Sequence, residues 1–142
     1  MVDNLTVEQR ARNMRGIRSR NTRPEMIVRF AVHRAGFRFR LHYSKLPGKP
    51  DLVFPRLRKI ILVHGCFWHM HGCKRGMVTP STNTEYWRRK RERTVERDAV
   101  NQEFYSSHGW TVLVVWECEI KQLDVLTDKI LDFLHSTGEI HG

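Results

Sequence analysis

Three short apolar runs, and the polar stretch between the second and third, limit how this chain can fold. Residues 51–54 and 59–63 are separated by a short link, which predicts two strands joined as a hairpin. The third run, residues 111–116, follows a long polar segment that is typical of a helix. A helical crossover returns the chain parallel to the strand before it. The continuous apolar run at residues 60–63 indicates a central strand covered on both faces.

Two further elements precede the hairpin. Thr22, Pro24 and Glu25 predict a helix start, because threonine can cap a helix, proline suits its first turn and glutamate completes a capping box. Residues 37–41 alternate between apolar and basic side chains, which predicts a half-buried strand. The expected order is helix, three strands, helix, strand, helix. This is a mixed α/β fold with a mixed sheet flanked by helices.

Apolar spacing marks the faces of the predicted helices. The apolar positions of the first helix are Met26, Ile27, Phe30 and Ala31. The inner stripe of the last helix is Leu123, Leu126, Ile130, Leu131 and Leu134. The polar helix is expected over residues 84–107, either continuous or broken near Thr94, and it ends at His108 and Gly109. A basic helix is expected at residues 7–19, before all of these.

The charge of the chain indicates a polyanionic partner. The formal net charge is +10, and nucleic acid is the commonest partner of so basic a protein. The positive charge is also clustered. One cluster contains Arg10, Arg12, Arg15, Arg18 and Arg20, and the other contains Arg88, Arg89, Lys90, Arg91, Arg93 and Arg97.

Length and hydropathy bound the class of protein. The 142 residues favour a single domain, with residues 1–20 as a basic, DNA-contacting helix and residues 21–142 as the main body. No apolar run approaches the roughly 20 residues of a membrane span. The N-terminus also lacks the apolar segment of a signal peptide. We therefore expect a soluble, cytoplasmic protein with no membrane partner, and a monomer, because no interface stripe is evident.

The three cysteines predict a metal site. Cys66 and Cys73 lie close to His71, and Cys118 follows the last predicted strand. Three thiolates and one imidazole make a closed structural zinc set, which leaves no coordination position for water. His69 is an alternative fourth ligand, since spacing alone does not separate it from His71.

A second metal site is expected where the hairpin begins and ends. Asp51 offers the hard oxygen ligand that Mg²⁺ prefers. In a hairpin, Asp51 returns alongside Val63 and His64, so the carboxylate, the Val63 carbonyl and the imidazole could share one edge. Glu25 could add a further carboxylate. An aspartate after proline is by itself more typical of a turn or a strand edge.

His69 and Asp98 are candidates for proton transfer. An imidazole titrates near neutrality, so His69 could deprotonate an attacking water. Asp98 could hold that imidazole in orientation. Each residue has a simpler interpretation, since a lone histidine is usually a satisfied polar group and an aspartate in a charged run usually lies on a solvated helix face.

Large aromatic residues adjoin the predicted metal site and the basic helix. Phe67 and Trp68 lie between metal-ligand candidates, and Tyr86 and Trp87 open the polar helix. Such side chains can wedge between base pairs and unstack them. Met14 could do the same from the other groove. The alternative is that these rings pack the core, which is the commoner fate of aromatic residues.

Six segments together resemble the very-short-patch repair (Vsr) DNA mismatch endonucleases. They are "NMRGIRSRNT", "LPGKPDLVF", "HGCFWHMHGC", "TEYWRRK", "VERD" and "GWTVLVVWEC", and the likeness runs over residues 10–134. The resemblance implies a restriction-endonuclease-like core and a Mg²⁺-dependent nick 5′ of the T in a T·G mismatch, which arises when 5-methylcytosine deaminates. It also implies a bacterial, nucleoid-associated enzyme linked to a cytosine-5 methyltransferase and repair proteins.

The resemblance also implies roles for individual residues. The catalytic set is Asp51, His64, His69, Glu25 and Asp98, with Mg²⁺ on Asp51 and the Val63 carbonyl. The zinc ligands are Cys66, His71, Cys73 and Cys118. The DNA-intercalating residues are Phe67, Trp68, Trp87 and Met14. The residues expected on the DNA backbone are Arg15, Arg18, Arg88, Arg89 and Lys90.

The chain departs from the common nuclease motif PD…(D/E)xK. The second acid and the lysine are missing, and "VHG" stands in their place. Val63 stands where a threonine is familiar, which matters little if only its carbonyl binds metal. Met70 interrupts a histidine-rich run and favours separate roles for His69 and His71. Two rival hypotheses remain, a broader mismatch- or site-directed nickase of the same fold and a zinc-stabilised DNA-binding module without catalysis.

Overall fold

The computed structural model describes residues 22–136. The basic helix expected at residues 7–19, which carries Met14, Arg15 and Arg18, lies outside this range. The described elements run in the order α1 (Arg23–Arg34), β1 (Leu52–Phe54), β2 (Lys59–His64), α2 (Thr84–Ser107), β3 (Thr111–Trp116), a 3-10 turn (Glu117–Gln122) and α3 (Leu123–His135). None of the helices in this range is long and apolar enough to cross a membrane.

The three strands form one mixed sheet in the order β1-β2-β3. Strand β1 pairs antiparallel with β2, placing Leu52 opposite Ile61. Strand β3 pairs parallel with β2, placing Trp116 opposite His64. The predicted hairpin and helical crossover are therefore confirmed. Because β2 and β3 are parallel neighbours, their C-terminal ends, at His64 and Trp116, lie side by side.

The central strand β2 is buried on both faces, as its apolar run predicted. On one face, Ile61 packs in a core cluster with α1 and α3. On the other face, Ile60 and Leu62 pack with Tyr105 of α2 and with Trp110. The long helix α2 therefore covers one side of the sheet, while α1 and α3 cover the other. The sheet is held between them, so the ends of its strands have fixed neighbours.

The prediction of a strand at residues 37–41 is wrong. Only Arg40 pairs, in an isolated bridge to Val53, and the chain turns at His42, whose φ is 54°. Phe37 and Phe39 do pack against the same core cluster. The alternation thus identified the buried side of this segment correctly, but an alternating pattern does not require the backbone to form a ladder.

The buried faces of α1 and α3 differ from the predicted ones. Helix α1 starts at the predicted capping box, where the Glu25 amide donates to the Thr22 hydroxyl. Its buried apolar residues are Val28 and Val32. The predicted apolar positions instead line a surface groove between α1 and α3, with Phe30 66% exposed. The buried stripe of α3 is Leu126, Ile130 and Leu134, while Leu123 is exposed and Leu131 half-buried.

Helix α2 is continuous through Thr94, so the alternative of a break there is wrong. The Thr94 hydroxyl donates to the Lys90 carbonyl one turn earlier. That contact satisfies the threonine inside the helix and leaves the backbone ladder intact. The helix ends at His108, and Gly109 follows with a φ of 85°.

Candidate active site and metal cluster

Asp51 contacts the central strand at the end of the hairpin. Its Oδ2 accepts a hydrogen bond of 2.7 Å from the Val63 amide. Asp51 immediately precedes β1, and the antiparallel register brings it level with the end of β2. The expected edge, with Asp51, Val63 and His64 together, is therefore present. All three line a cleft of about 910 Å³.

The Asp51 carboxyl lies in surroundings that disfavour its charge. Burial raises its pKa to about 7, although the Val63 amide acts in the opposite direction. The negative charges of Glu25 and Asp98 raise it further. Glu25 is itself buried and pairs with Arg29 at 3.0 Å. Asp51, Glu25 and Asp98 line the same cleft, and carboxylate oxygens are the ligands that a hard divalent cation prefers.

Asp98 of α2 contacts two histidines at once. Its Oδ2 contacts Nδ1 of His69, and its Oδ1 lies 3.8 Å from Nε2 of His64. The two imidazole rings stack with their centroids 3.7 Å apart. Burial lowers the pKa of His64 to about 4, and the neighbouring His69 ring lowers it too. His64 is therefore neutral near pH 7, and its buried Nδ1 has no hydrogen-bond partner among residues 22–136.

Cys66, His71, Cys73 and Cys118 form a cluster that could hold a metal ion. Their ligand atoms all lie within 4.8 Å of one another, and Sγ of Cys118 is 3.6 Å from Nδ1 of His71. Burial raises the pKa of Cys66 to about 12, whereas the Gly76 amide is the main cause that lowers the pKa of Cys73 to about 6. The closed set of soft donors suits a structural metal.

The backbone at Met70 separates the two neighbouring histidines. Met70 has a φ of 52°, in the left-handed region that a non-glycine residue rarely adopts. This turn directs His71 to the cysteine cluster, where its ring also stacks on Trp116 with centroids 4.0 Å apart. It directs His69 to Asp98. The geometry therefore places His71, and not His69, beside the three cysteines.

The aromatic residues form one contiguous group beside the cleft. Phe67 lies edge-on to Trp68 at 5.2 Å, and Trp68 lies 5.4 Å from Trp87. Tyr86, at the start of α2, contacts Trp87 and is 49% exposed. Phe67 and Trp68 line the same cleft as Asp51. The rings therefore pack on one another and still adjoin the candidate active site.

Comparison with known proteins decides the family. The family model described as DNA mismatch endonuclease Vsr matches residues 2–75. The type II nicking enzyme V.XorIIP of Xanthomonas oryzae is 45% identical over 134 residues, covering 94% of this chain and 98% of the relative. The chain belongs to the Vsr family.

Two further relatives agree with this assignment. The DNA mismatch endonuclease Vsr of Escherichia coli is 41% identical over 122 residues, covering 86% of this chain and 78% of the relative. The type II nicking enzyme V.NmeAIP of Neisseria meningitidis is 36% identical over 130 residues, covering 92% of each chain. As a member of the Vsr family, the chain is a DNA endonuclease, a hydrolase whose substrate is DNA.

Arg91 of this Vsr-family chain is buried, although its sequence neighbours predict a surface position. Arg91 belongs to the cluster expected to face a polyanion, yet it is only 5% exposed. Its guanidinium donates to the carbonyls of Phe67, Gly76 and Val78 and lies 4.3 Å from the Phe67 ring centroid. Arg91 thus ties α2 to both ends of the loop that carries the cysteine cluster.

Other basic residues of α2 remain on the surface. Arg88 pairs with Glu85 and Glu92, and Arg89 pairs with Glu85. Lys90 lies 5.6 Å from the centroid of Tyr86. Surface ion pairs of this kind are weak, so they can exchange for phosphate contacts.

Sequence reasoning missed several residues that shape this site. Gly76 is required because a Cβ there would clash with the His71 backbone. Trp116 stacks on His71, and Glu117 accepts from the Cys66 amide at 3.3 Å. The only signal for the last two was their position next to Cys118. Nothing local marked Gly76, and the charge of Arg91 predicted a surface position where the structure buries it.

Proposed function

We propose that the chain is a Mg²⁺-dependent nickase that cuts one DNA strand 5′ of the T in a T·G mismatch. In this proposal it starts very-short-patch repair of deaminated 5-methylcytosine, together with a cytosine-5 methyltransferase and repair proteins, and acts as a monomer. The observation that carries the proposal is the single cleft that joins Asp51, Val63 and the His64–His69–Asp98 group. The names of the relatives, mismatch endonuclease and nicking enzymes, support it.

Asp51 and the Val63 carbonyl would hold the Mg²⁺, with Glu25 as a supporting acid. Burial raises the pKa of Asp51 to about 7, and the charges of Glu25 and Asp98 raise it too, so a cation beside this carboxylate would stabilise its ionised form. Bound Mg²⁺ would supply charge neutralisation at the scissile phosphate. The mixed sheet, flanked by helices and ending at an acidic cleft, also agrees with a restriction-endonuclease-like core in residues 21–142.

His69 would take the proton of the attacking water, and Asp98 would orient its ring. The contact between Nδ1 of His69 and Asp98 leaves Nε2 as the nitrogen that can accept a proton. His64 is neutral near pH 7 because its pKa lies at about 4. A neutral ring there can stack against His69 and help to position it without repelling the proton that His69 receives.

A zinc ion would occupy the site formed by Cys66, His71, Cys73 and Cys118. All four donors belong to one closed set, so the ion would be structural and not catalytic. It would hold the loop that presents Phe67 and Trp68. These rings, with Trp87, would enter the DNA stack at the mismatch. Met14 would enter from the other groove, and the backbone contacts would come from Arg15, Arg18, Arg88, Arg89 and Lys90.

A nicking assay with end-labelled duplexes tests the proposal. The set contains T·G, other mismatches and matched controls, each in several flanking contexts and with Mg²⁺. We expect a single cut just 5′ of T, only in T·G duplexes. Cuts in many mismatches would favour a broader nickase. Binding without any cut would favour a zinc-stabilised DNA-binding module, and Asp51→Ala should abolish cutting while leaving binding nearly intact.

A further inference from the structure

We propose that Lys49 contacts the scissile phosphate and supplies the positive charge that the sequence lacks after β2. This inference rests on the proposed nuclease function, because it assigns a catalytic role within the same cleft. The common nuclease motif places a lysine shortly after its second acid, and this chain has "VHG" there. Lys49 instead lies two residues before Asp51, and both residues line the cleft.

The charge of Lys49 is available for a ligand. In the described part of the chain, no carboxylate lies within ion-pair distance of its Nζ. Arg75, another cation of the cleft, is already 3.7 Å from Glu117. The acids nearest to the reaction, Asp51 and Asp98, are engaged with the Val63 amide and with His69. A phosphate oxygen in the cleft would therefore be a suitable partner for the ammonium group.

The backbone that presents Lys49 is held in an unusual conformation. Gly48 has a φ of 79° and Lys49 a φ of 48°, so two consecutive residues occupy the left-handed region. A residue with a Cβ, such as lysine, rarely adopts this conformation. Such strain persists only where surrounding structure enforces it, and it concentrates at functional sites. The conformation turns the chain so that Lys49 lines the cleft before Asp51 begins the hairpin.

Helix α2 enforces this conformation. The Tyr105 hydroxyl donates to the Pro47 carbonyl. A Cβ on Gly48 would lie 2.6 Å from Cγ of Asn101 and 2.8 Å from the Tyr105 hydroxyl, so only glycine fits. The same helix carries Asp98, one turn before Asn101. The loop with Lys49 and the acid that orients His69 are thus fixed to one rigid element.

The role of Lys49 is to stabilise charge in the transition state. During hydrolysis the water oxygen forms a bond to phosphorus, and its proton passes to His69. The bond from phosphorus to the leaving oxygen breaks, and that oxygen receives a proton from solvent water. Negative charge on the phosphoryl oxygens must be balanced throughout this exchange. Lys49 is exposed at the cleft, where its ammonium group can reach that charge. The removal of one charge-stabilising donor in other enzymes lowers the rate about 100-fold to 1000-fold.

Four variants test the inference in single-turnover nicking of a T·G duplex at saturating enzyme. Lys49→Ala removes the charge, Lys49→Gly removes both the charge and the backbone strain, and Lys49→Arg keeps the charge. Lys45→Ala is the matched control, because Lys45 is an exposed lysine in the same loop that does not line the cleft. Thermal melting and bound-metal content show whether each variant is folded.

We expect Lys49→Ala and Lys49→Gly to nick about 100-fold more slowly, with DNA affinity weakened only as for the loss of a single phosphate contact. Lys49→Arg should retain most of the rate, and Lys45→Ala should match the parent. Parent-like nicking by Lys49→Ala would overturn the inference and leave the proposed function intact. A parent protein that nicks no duplex would instead overturn the proposed function, and the inference with it.

Discussion

The imidazole rings of His64 and His69 lie face to face, 3.7 Å apart and within 5° of parallel. Asp98 is the acid that contacts both. Stacked imidazoles resist a second positive charge, and the pKa of His64, lowered to about 4 mainly by burial, shows which ring stays neutral. In the proposed mechanism, His69 would therefore accept the proton and Asp98 would orient its ring.

Replacing Asp98 by Asn should therefore slow nicking while leaving the fold and DNA binding unchanged. The amide preserves the size of the side chain but loses the charge that stabilises a protonated His69. We expect the single-turnover rate to fall about 100-fold to 10,000-fold, the range typical of lost acid–base assistance. Glu96→Gln is the control, because Glu96 is an exposed acid on the same helix. A parent-like rate for Asp98→Asn would remove Asp98 from the mechanism.

Substitution of His69 and substitution of His71 should have different effects on the zinc content of the protein. We expect one zinc per chain in the parent protein, measured by atomic absorption after dialysis. His71→Ala should lose this zinc and melt at a lower temperature, because His71 lies with the three cysteines. His69→Ala should keep the zinc and lose nicking. If His69→Ala loses the zinc and His71→Ala keeps it, the ligand assignment is wrong.

Arg91 should contribute to stability more than to DNA affinity. Arg91→Met removes the donor to three carbonyls, of which the Gly76 carbonyl is the one at a buried contact. A buried carbonyl left unsatisfied costs about 1–3 kcal/mol, so we expect a loss of about that size in the free energy of unfolding by urea denaturation. Arg93→Met is the control, since Arg93 is exposed on the same helix. Equal stability of the two variants would contradict the anchoring role of Arg91.

The binding of Mg²⁺ should depend on pH through Asp51. Its pKa, raised to about 7, means that the metal-free carboxyl is protonated below pH 7 and ionised above it. The metal must displace that proton, so its apparent affinity should fall about tenfold per pH unit below 7 and level off above. Calorimetric titration of the protein with Mg²⁺ between pH 6 and 8.5 measures this. A flat profile over that range would show that no carboxyl with a pKa near 7 competes with Mg²⁺ for a proton at this site.

Local patterning determined most of the fold. Strands β1, β2 and β3 were predictable from their apolar runs, α1 from its capping box, α3 from its apolar stripe and α2 from a long polar segment typical of a helix. The order of β1, β2 and β3 then limited the sheet to a hairpin with a parallel crossover. Residues 37–41 failed because burial and strand pairing are different properties, and only contacts with β1 determine how many residues pair.

The composition of the site was also visible in the sequence, but its arrangement was not. The short stretch from His64 to Cys73 contains the candidate metal ligands and proton-transfer groups. Spacing alone did not show whether His69 or His71 is the fourth metal ligand. The tertiary structure distinguished them through the left-handed turn at Met70. It likewise buried Arg91 and turned Lys49 into the cleft. These outcomes depend on packing against α2, a helix distant in sequence, and local residue patterns carry no information about such contacts.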